Sequence, residues 1–377
     1  MKSCCVSGTP CTLLFPRNAS FLISSLDLSN TTDLTLSFEE GAGLYATTNA
    51  SLYPIGPFFP PMGNTLCYQA VIFGRNVRNL LLTGPTSAVI DGNGWPWQPL
   101  RPTLPYQAPK LLELVDGTNI TVVGLTLSNS ANWHVHLVYC TRVRLQKNTV
   151  LGSRAFGGTD GIDPHSSSDV EISGAHIDVG DDGIAITSGT HDRTGALIPS
   201  SGILVRDSYI RSRNFAIGSS VLGNVSNVTL QDSRIGDDEG SSPWAIKIKT
   251  HSPRGGTVSD IFFQRLVLGK IAPNAYQQPN GGMAFSIYED YGSPTDFANA
   301  SITAITRVHF INISGAGARW AAQPFAGGAR GSGNIKHLLF QNVSLGNVTE
   351  HNPWQCSNVS GTKTVGRVQP PLPPECM

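Results

Sequence analysis

From residue 119 onward, apolar and polar positions alternate in short bursts that keep returning. Asn119-Ile-Thr-Val-Val-Gly-Leu-Thr-Leu, Arg142-Val-Arg-Leu-Gln-Lys-Asn-Thr-Val and Asp169-Val-Glu-Ile-Ser-Gly-Ala-His-Ile align position by position. Further copies open at Gly202, Asn227, Asp260, Arg307 and Lys336, and the first five steps are 23, 27, 33, 25 and 33 residues. Each copy alternates over four or five residues, breaks at a glycine or polar residue, and alternates again. A period of two with Gly/Asn/Ser punctuation predicts short strands and not helices. A strand-and-turn unit recurring at this length reads as one rung of a parallel β-helix. Like positions then stack, and ladders of Val, Ile and Leu fill the interior. A β-sandwich would need tight hairpins, and Asn-Gly occurs only at Asn93-Gly94 and Asn280-Gly281.

A solenoid grows along one axis, so 377 residues fit one repetitive domain without outgrowing a globular core. No linker is visible, and the expectation is a single all-β domain over 1–377. Residues 1–20 form its trimmed first rung and 350–377 a tail stapled by Cys356 and Cys376, which bracket a Pro-rich stretch. One bridge is expected among Cys4, Cys5 and Cys11, with Cys140 buried and unpaired. Two irregular stretches predict loops lining a site: Leu52 to Met62, and the long gap from Lys270 to Arg307 with Phe285-Ser-Ile-Tyr-Glu-Asp-Tyr291.

Formal charge is zero and only 14% of residues are charged, which excludes a basic polyanion binder of the nucleic-acid kind. A local basic patch can still hold an acidic polysaccharide. No apolar stretch approaches the roughly 18–20 residues that span a bilayer. Eleven Asn-X-Ser/Thr sequons, from Asn18 to Asn358, suit a secreted, glycosylated chain, although Met1-Lys-Ser-Cys-Cys carries no apolar leader.

Chemistry concentrates in two segments, Gly158-Thr-Asp-Gly-Ile-Asp-Pro164 and Val179-Gly-Asp-Asp-Gly-Ile-Ala-Ile186. Asp160 and Asp181 are 21 residues apart, about one rung, and Asp182 adjoins Asp181. Neighbouring acids repel, so one of them is expected to keep its proton to higher pH. Carboxylates one or two rungs apart can flank a sugar linkage, because strands stack about 4.8 Å apart. Asn214-Phe-Ala-Ile and Trp244-Ala-Ile-Lys-Ile-Lys continue the same sheet. They place Arg213, Lys247 and Lys249 beside the aspartates, where they could grip substrate carboxylates.

With these residues in place the chain resembles glycoside hydrolase family 28, the polygalacturonases and their relatives, over nearly its whole length. Phe38-Glu-Glu-Gly-Ala-Gly-Leu, Ile90-Asp-Gly-Asn-Gly-Trp-Pro-Trp97, Asn129-Ser-Ala-Asn-Trp-His and Lys249-Thr-His-Ser-Pro-Arg-Gly-Gly256 share in the likeness. The resemblance implies a right-handed parallel β-helix that hydrolyses α-1,4-galacturonosyl linkages of pectin with inversion. It implies Asp181 as general acid, Asp160 and Asp182 as the pair that activates water, and Lys249 and Tyr291 as substrate ligands. It implies no cofactor and no metal, and a monomer working outside the cell or in the cell wall.

Three positions depart from the family pattern. Its Asn-Thr-Asp is Gly158-Thr-Asp here, its Gly-His-Gly is Ser212-Arg213-Asn214, and its Arg-Ile-Lys is Lys247-Ile-Lys. Rhamnogalacturonan-cleaving relatives also lack that histidine, so rhamnogalacturonan hydrolysis is the nearest alternative and a non-catalytic pectin-binding relative the next. Arg213 can grip a uronate as the histidine's substitute but cannot donate a proton in turn. Blander readings apply elsewhere. Asp163 is expected to be structural, Asp237-Asp238-Glu239 an exposed turn, and His176 a core or rim histidine. His251 is a possible sugar contact, Tyr288 competes with Tyr291, and Trp95, Trp97 and Trp133 are sugar platforms or packed aromatics.

Overall fold

The computed structural model describes residues 9–59, 65–250, 255–273, 281–288, 303–326, 335–357 and 359–377. Contacts gather into two compact units: Met1–Asp181 with His191–Gly195, and Asp182–Thr190 with Ala196–Met377. The division falls between the two adjacent acids.

The first unit is a parallel coil. One wall consists of β1 (Leu26–Asp27), β2 (Ile72–Arg75), β3 (Leu112–Val115), β4 (Val135–Val138) and β5 (Ile162–His165). They pair in parallel, and Ile72, Leu112, Val135 and Ile162 share one register column. A second wall stacks Leu34, Leu80, Ile120, Val143 and Val170, and a third Leu44, Ile90, Leu127, Val150 and Ile177. All of these are fully buried. At about 25 cal/mol per Å2 of apolar surface removed from water, such ladders are the coil's main source of stability.

The second unit repeats the plan with β6 (Ile184–Thr190), β7 (Phe215–Val221), β8 (Trp244–Lys249), β9 (Met283–Tyr288), β10 (Trp320–Ala326) and β11 (Trp354–Ser357). Ile184, Phe215, Ile246, Phe285, Ala322 and Trp354 stand in one column. On another wall Phe263, Phe310 and Phe340 stack ring on ring, with centroids 5.3 and 4.8 Å apart. Pairing of Ile120 with Val143, Val143 with Val170, Ile203 with Val228 and Val228 with Ile261 reproduces four of the predicted steps.

Each predicted rung opens on a residue with left-handed backbone. Asn119, Arg142 and Asp169 have φ of 58°, 55° and 51°, and Gly202, Asn227, Asp260 and Arg307 have 66°, 52°, 58° and 53°. The last rung opens at His337, one residue beyond the expected Lys336, and two earlier rungs open at Asp33 and Asn79. Cβ sterics favour Asn, Asp and Gly in this region. Stacking also lets their side chains bond from rung to rung: Asn79 Nδ2 donates to Asp33 Oδ1 at 2.7 Å and Asn119 Nδ2 to Asn79 Oδ1 at 2.8 Å.

Cys356 and Cys376 are bonded as expected, and Cys11 is also in a disulfide. Cys140 is buried and free, and Cys67 likewise. Asp237 caps its turn by accepting from the backbone N–H of Glu239, Gly240 and Ser241, while Asp238 and Glu239 are exposed. His176 is a correction: it opens the strand His176–Asp178 on the outward side, exposed, because Ile177 takes the inward position. Among the described residues no helix is long and apolar enough to cross a membrane.

Arg142 is the poor fit in the left-handed column between Asn119 and Asp169. Arg142→Asn should raise stability by up to about 1 kcal/mol, since asparagine tolerates this backbone better. The midpoint of urea unfolding reports it, and an unchanged or lower midpoint would show that the column is unstrained.

Candidate active site

In the first unit Asp160 lies on the turn entering β5. His134, fully buried, supports that turn: its backbone N–H donates to Asp160 O at 2.8 Å and its Nδ1 lies 2.9 Å from the same oxygen. Burial lowers the His134 pKa, against the opposing pull of the Asp160 and Leu151 carbonyls. Gly180, just before Asp181, presses on the neighbouring loop. A Cβ there would lie 2.1 Å from Phe156 O and 2.2 Å from Ser153 O, so only glycine fits. Asp181 then accepts a hydrogen bond from the Gly158 backbone N–H.

Arg101 joins these two acids. It comes from the irregular turn of 3-10 helix Trp95–Thr103, and its Nη1 donates to Gly157 O at 2.8 Å. Burial lowers its pKa, and the charges of Asp160 and Asp181 pull it back up. Gly158 makes the room: at φ 66°, a Cβ on it would stand 2.6 Å from Arg101 Nη2. The glycine at position 158 and the arginine at 101 are therefore one feature. Asp160, Asp181 and Arg101 are all half-buried.

In the second unit Asp182 is 4% exposed and gripped from two sides. Lys249 Nζ is 2.5 Å from its Oδ2, and Asn214 Nδ2 donates to its Oδ1 at 3.0 Å. The predicted neighbouring strands explain this. Phe215 pairs with Ile246 and Ile217 with Ile248, all inward, so Lys247 and Lys249 take the opposite side of β8. Lys247 stands 3.9 Å above the Trp244 ring. Arg213 is half-buried beside Asn214, its carbonyl accepting from Trp244 N–H at 3.1 Å.

Tyr291 and His251 lie outside the described residues, as does the Tyr288 side chain. Asp163 and His165 are buried in β5, and the second is not available to substrate. Of the three tryptophans, Trp97 packs against Tyr53 and Tyr68, and Trp133 against Phe58 and His136. Trp95 is the open one, 58% exposed and edge-on to Phe156 at 4.9 Å.

Sequence reasoning missed Arg101, His134 and Asn214. His134 closes the Asn129-Ser-Ala-Asn-Trp-His segment and Asn214 the Ser212-Arg213-Asn214 departure, so both sat inside noted motifs. Arg101 had only one signal, the side chain missing at Gly158. Among the described residues Asp116, His191 and Asp192 are spaced to hold a metal ion. Arg75 already serves their charges, with Nη2 at 3.0 and 2.9 Å from the two Asp192 oxygens and Nε 3.1 Å from Asp116 Oδ2.

Carboxylates on glycine-shaped turns are the groups that acid/base cleavage of a glycosidic bond uses. Residues 5–365 match the model of glycosyl hydrolases family 28, and the chain belongs to that family. It is 29% identical over 371 residues to a probable polygalacturonase of Vitis vinifera, covering 92% of this chain and 70% of that one. To Polygalacturonase-2 of Solanum lycopersicum it is 28% identical, covering 69% of this chain and 53% of the relative. The chain thus spans from about half to 70% of the length of these two relatives. Among solved structures, a hyperthermoactive exopolygalacturonase from Thermotoga maritima superposes with a TM-score of 0.75 at 20% identity, over 96% of this chain and 86% of the other. A polygalacturonase from Erwinia carotovora ssp. carotovora gives 0.67 at 22%, over 91% and 86%. These likenesses establish the fold as the right-handed parallel β-helix.

Gly158→Asn should displace the Arg101 guanidinium, since asparagine accepts the left-handed backbone but needs the space. Loss of a nearby positive charge lets Asp160 and Asp181 hold protons to higher pH. The acidic limb of the pH–rate profile should therefore move upward, and Arg101→Ala should move it the same way. An unmoved limb in both variants would show that Arg101 has no influence on the acids.

Proposed function

We propose that the protein hydrolyses α-1,4-galacturonosyl linkages of pectin with inversion. Asp181 gives its proton to the glycosidic oxygen as the bond to the anomeric carbon breaks. Asp160 and Asp182 orient a water on the opposite face of the sugar and take its proton as its oxygen bonds to that carbon. The observation that carries the reading is the fixing of Asp182 by Lys249 and Asn214, which holds one carboxylate in a single orientation. Family membership and the three retained aspartates support it. Lys249, Lys247, Arg213, Tyr291 and His251 are the proposed ligands of substrate carboxylates and hydroxyls.

Action outside the cell fits the same reading. Nine of the eleven sequon asparagines are described, and all nine are exposed. Disulfides at Cys11 and at Cys356–Cys376 suit an oxidising compartment. Rhamnogalacturonan is the second substrate reading, favoured by Arg213 standing where polygalacturonases carry histidine.

The test compares products from polygalacturonic acid and from rhamnogalacturonan, without calcium, for wild type and Asp181→Asn. Saturated products from the first polymer, reduced about 10²–10⁴-fold in the variant, are expected. Products from the second polymer alone would transfer the reading to rhamnogalacturonan, and binding without new reducing ends would replace it with a non-catalytic role.

A further inference from the structure

In the first unit the outward face of the site wall is sealed. Strands β2 to β5 turn Ile72, Leu112, Val135 and Ile162 into the coil, so Phe73, Glu113, His136 and Asp163 form the opposite column. An open polysaccharide groove over this face would leave that column in water. Instead only Phe73, on β2, is half-buried, while Glu113 is 2% exposed, His136 1% and Asp163 4%, and Val138 and His165 two positions further are equally buried.

The cover is an irregular stretch before β2. The hairpin of Ile55–Pro57 with Leu66–Tyr68 carries Phe58 and Phe59 against the wall, and both rings are buried. Lys110 lies beneath, its Nζ 4.1 Å from the Phe58 centroid and 5.1 Å from that of Trp133. It pairs with Glu113, whose Oε1 is also 2.8 Å from His136 Nδ1. Lys110 Nζ also donates to Phe59 O at 3.4 Å, which bonds the cover to the wall beneath it. Backbone bonds from Gln69 N to Pro54 O and from Val71 N to Lys110 O, at 2.8 and 2.9 Å, tie it down. Asp160 and Asp181, by contrast, stay half-open.

We infer that the protein attacks its polysaccharide from a chain end. Substrate bound at Asp160 cannot continue across β4 and β3, because no outward surface is left there to receive it. One terminus enters, and a product of one fixed length leaves at each turnover. This rests on the hydrolase reading above, and deepens it by naming which linkage of the polymer is cut.

The test follows polygalacturonic acid viscosity together with product sizes from a hexameric oligogalacturonide labelled at its reducing end, using the full chain. A single product size from the earliest time, with viscosity falling only slowly as reducing ends accumulate, is expected. A mixture of sizes from internal cleavage, with viscosity collapsing early, would overturn end attack while leaving the hydrolase reading intact. No cleavage of polymer or hexamer would overturn the galacturonan-hydrolase reading, and this inference with it.

Discussion

Everything in this molecule depends on keeping parallel strands in register from rung to rung. A device that does so is a left-handed residue at the same place in each rung, at Asn79, Asn119, Arg142 and Asp169 in the first unit and at Asn227, Asp260 and Arg307 in the second. At each of these the ladder skips one position and resumes with an inward apolar residue, as Thr118 pairs with Thr141 and then Ile120 with Val143. A slip of one residue would turn an entire column outward. The skipped residue makes such a slip costly, because the left-handed backbone it needs costs most residue types about 1–2 kcal/mol.

That constraint also sets where chemistry can sit. Lys249 reaches Asp182 because β8 lies two strands from β6 and odd positions in β8 face away from the core. Inward neighbours such as Ile217 and Ile248 hold the strand so firmly that the lysine's position follows from theirs. Loops inserted between rungs are free of this discipline, and they supply what the rungs cannot.

Legibility follows the same division. Rungs from Asn119 on were readable because alternation and step length repeat there. The rungs at Asp33 and Asn79 carry the same alternation, but the long excursions around them hide the period. Asp160, Asp181, Asp182 and Lys249 were readable because they sit on or beside strands whose stacking can be counted. Arg101 was not, since it meets Gly157 across 56 residues from a proline-rich stretch with no period of its own. The glycine at 158 is only a departure from the family pattern when read alone, and becomes an accommodation once the guanidinium is placed beside it. His176 alternates with interior residues, and the alternation itself turns it outward, because Ile177 takes the inward place.

The stretch between Val89–Asp91 and β3 gathers these threads. It adds no strand to the site wall, yet it delivers Arg101 to the acids near its middle and Lys110 to the sealed face at its end. Gln98 and Arg101 tie its first half to the backbone at Ala131 and Gly157, and Lys110 ties its second half to Glu113 and Phe59. One segment therefore contributes both to the electrostatics of the carboxylates and to the closure beside them. Neither role can be changed by altering the segment's length without disturbing the other. In a solenoid whose rungs are interchangeable by construction, such a doubly anchored insertion is where one member can acquire a substrate mode of its own while keeping the common coil and the common acids.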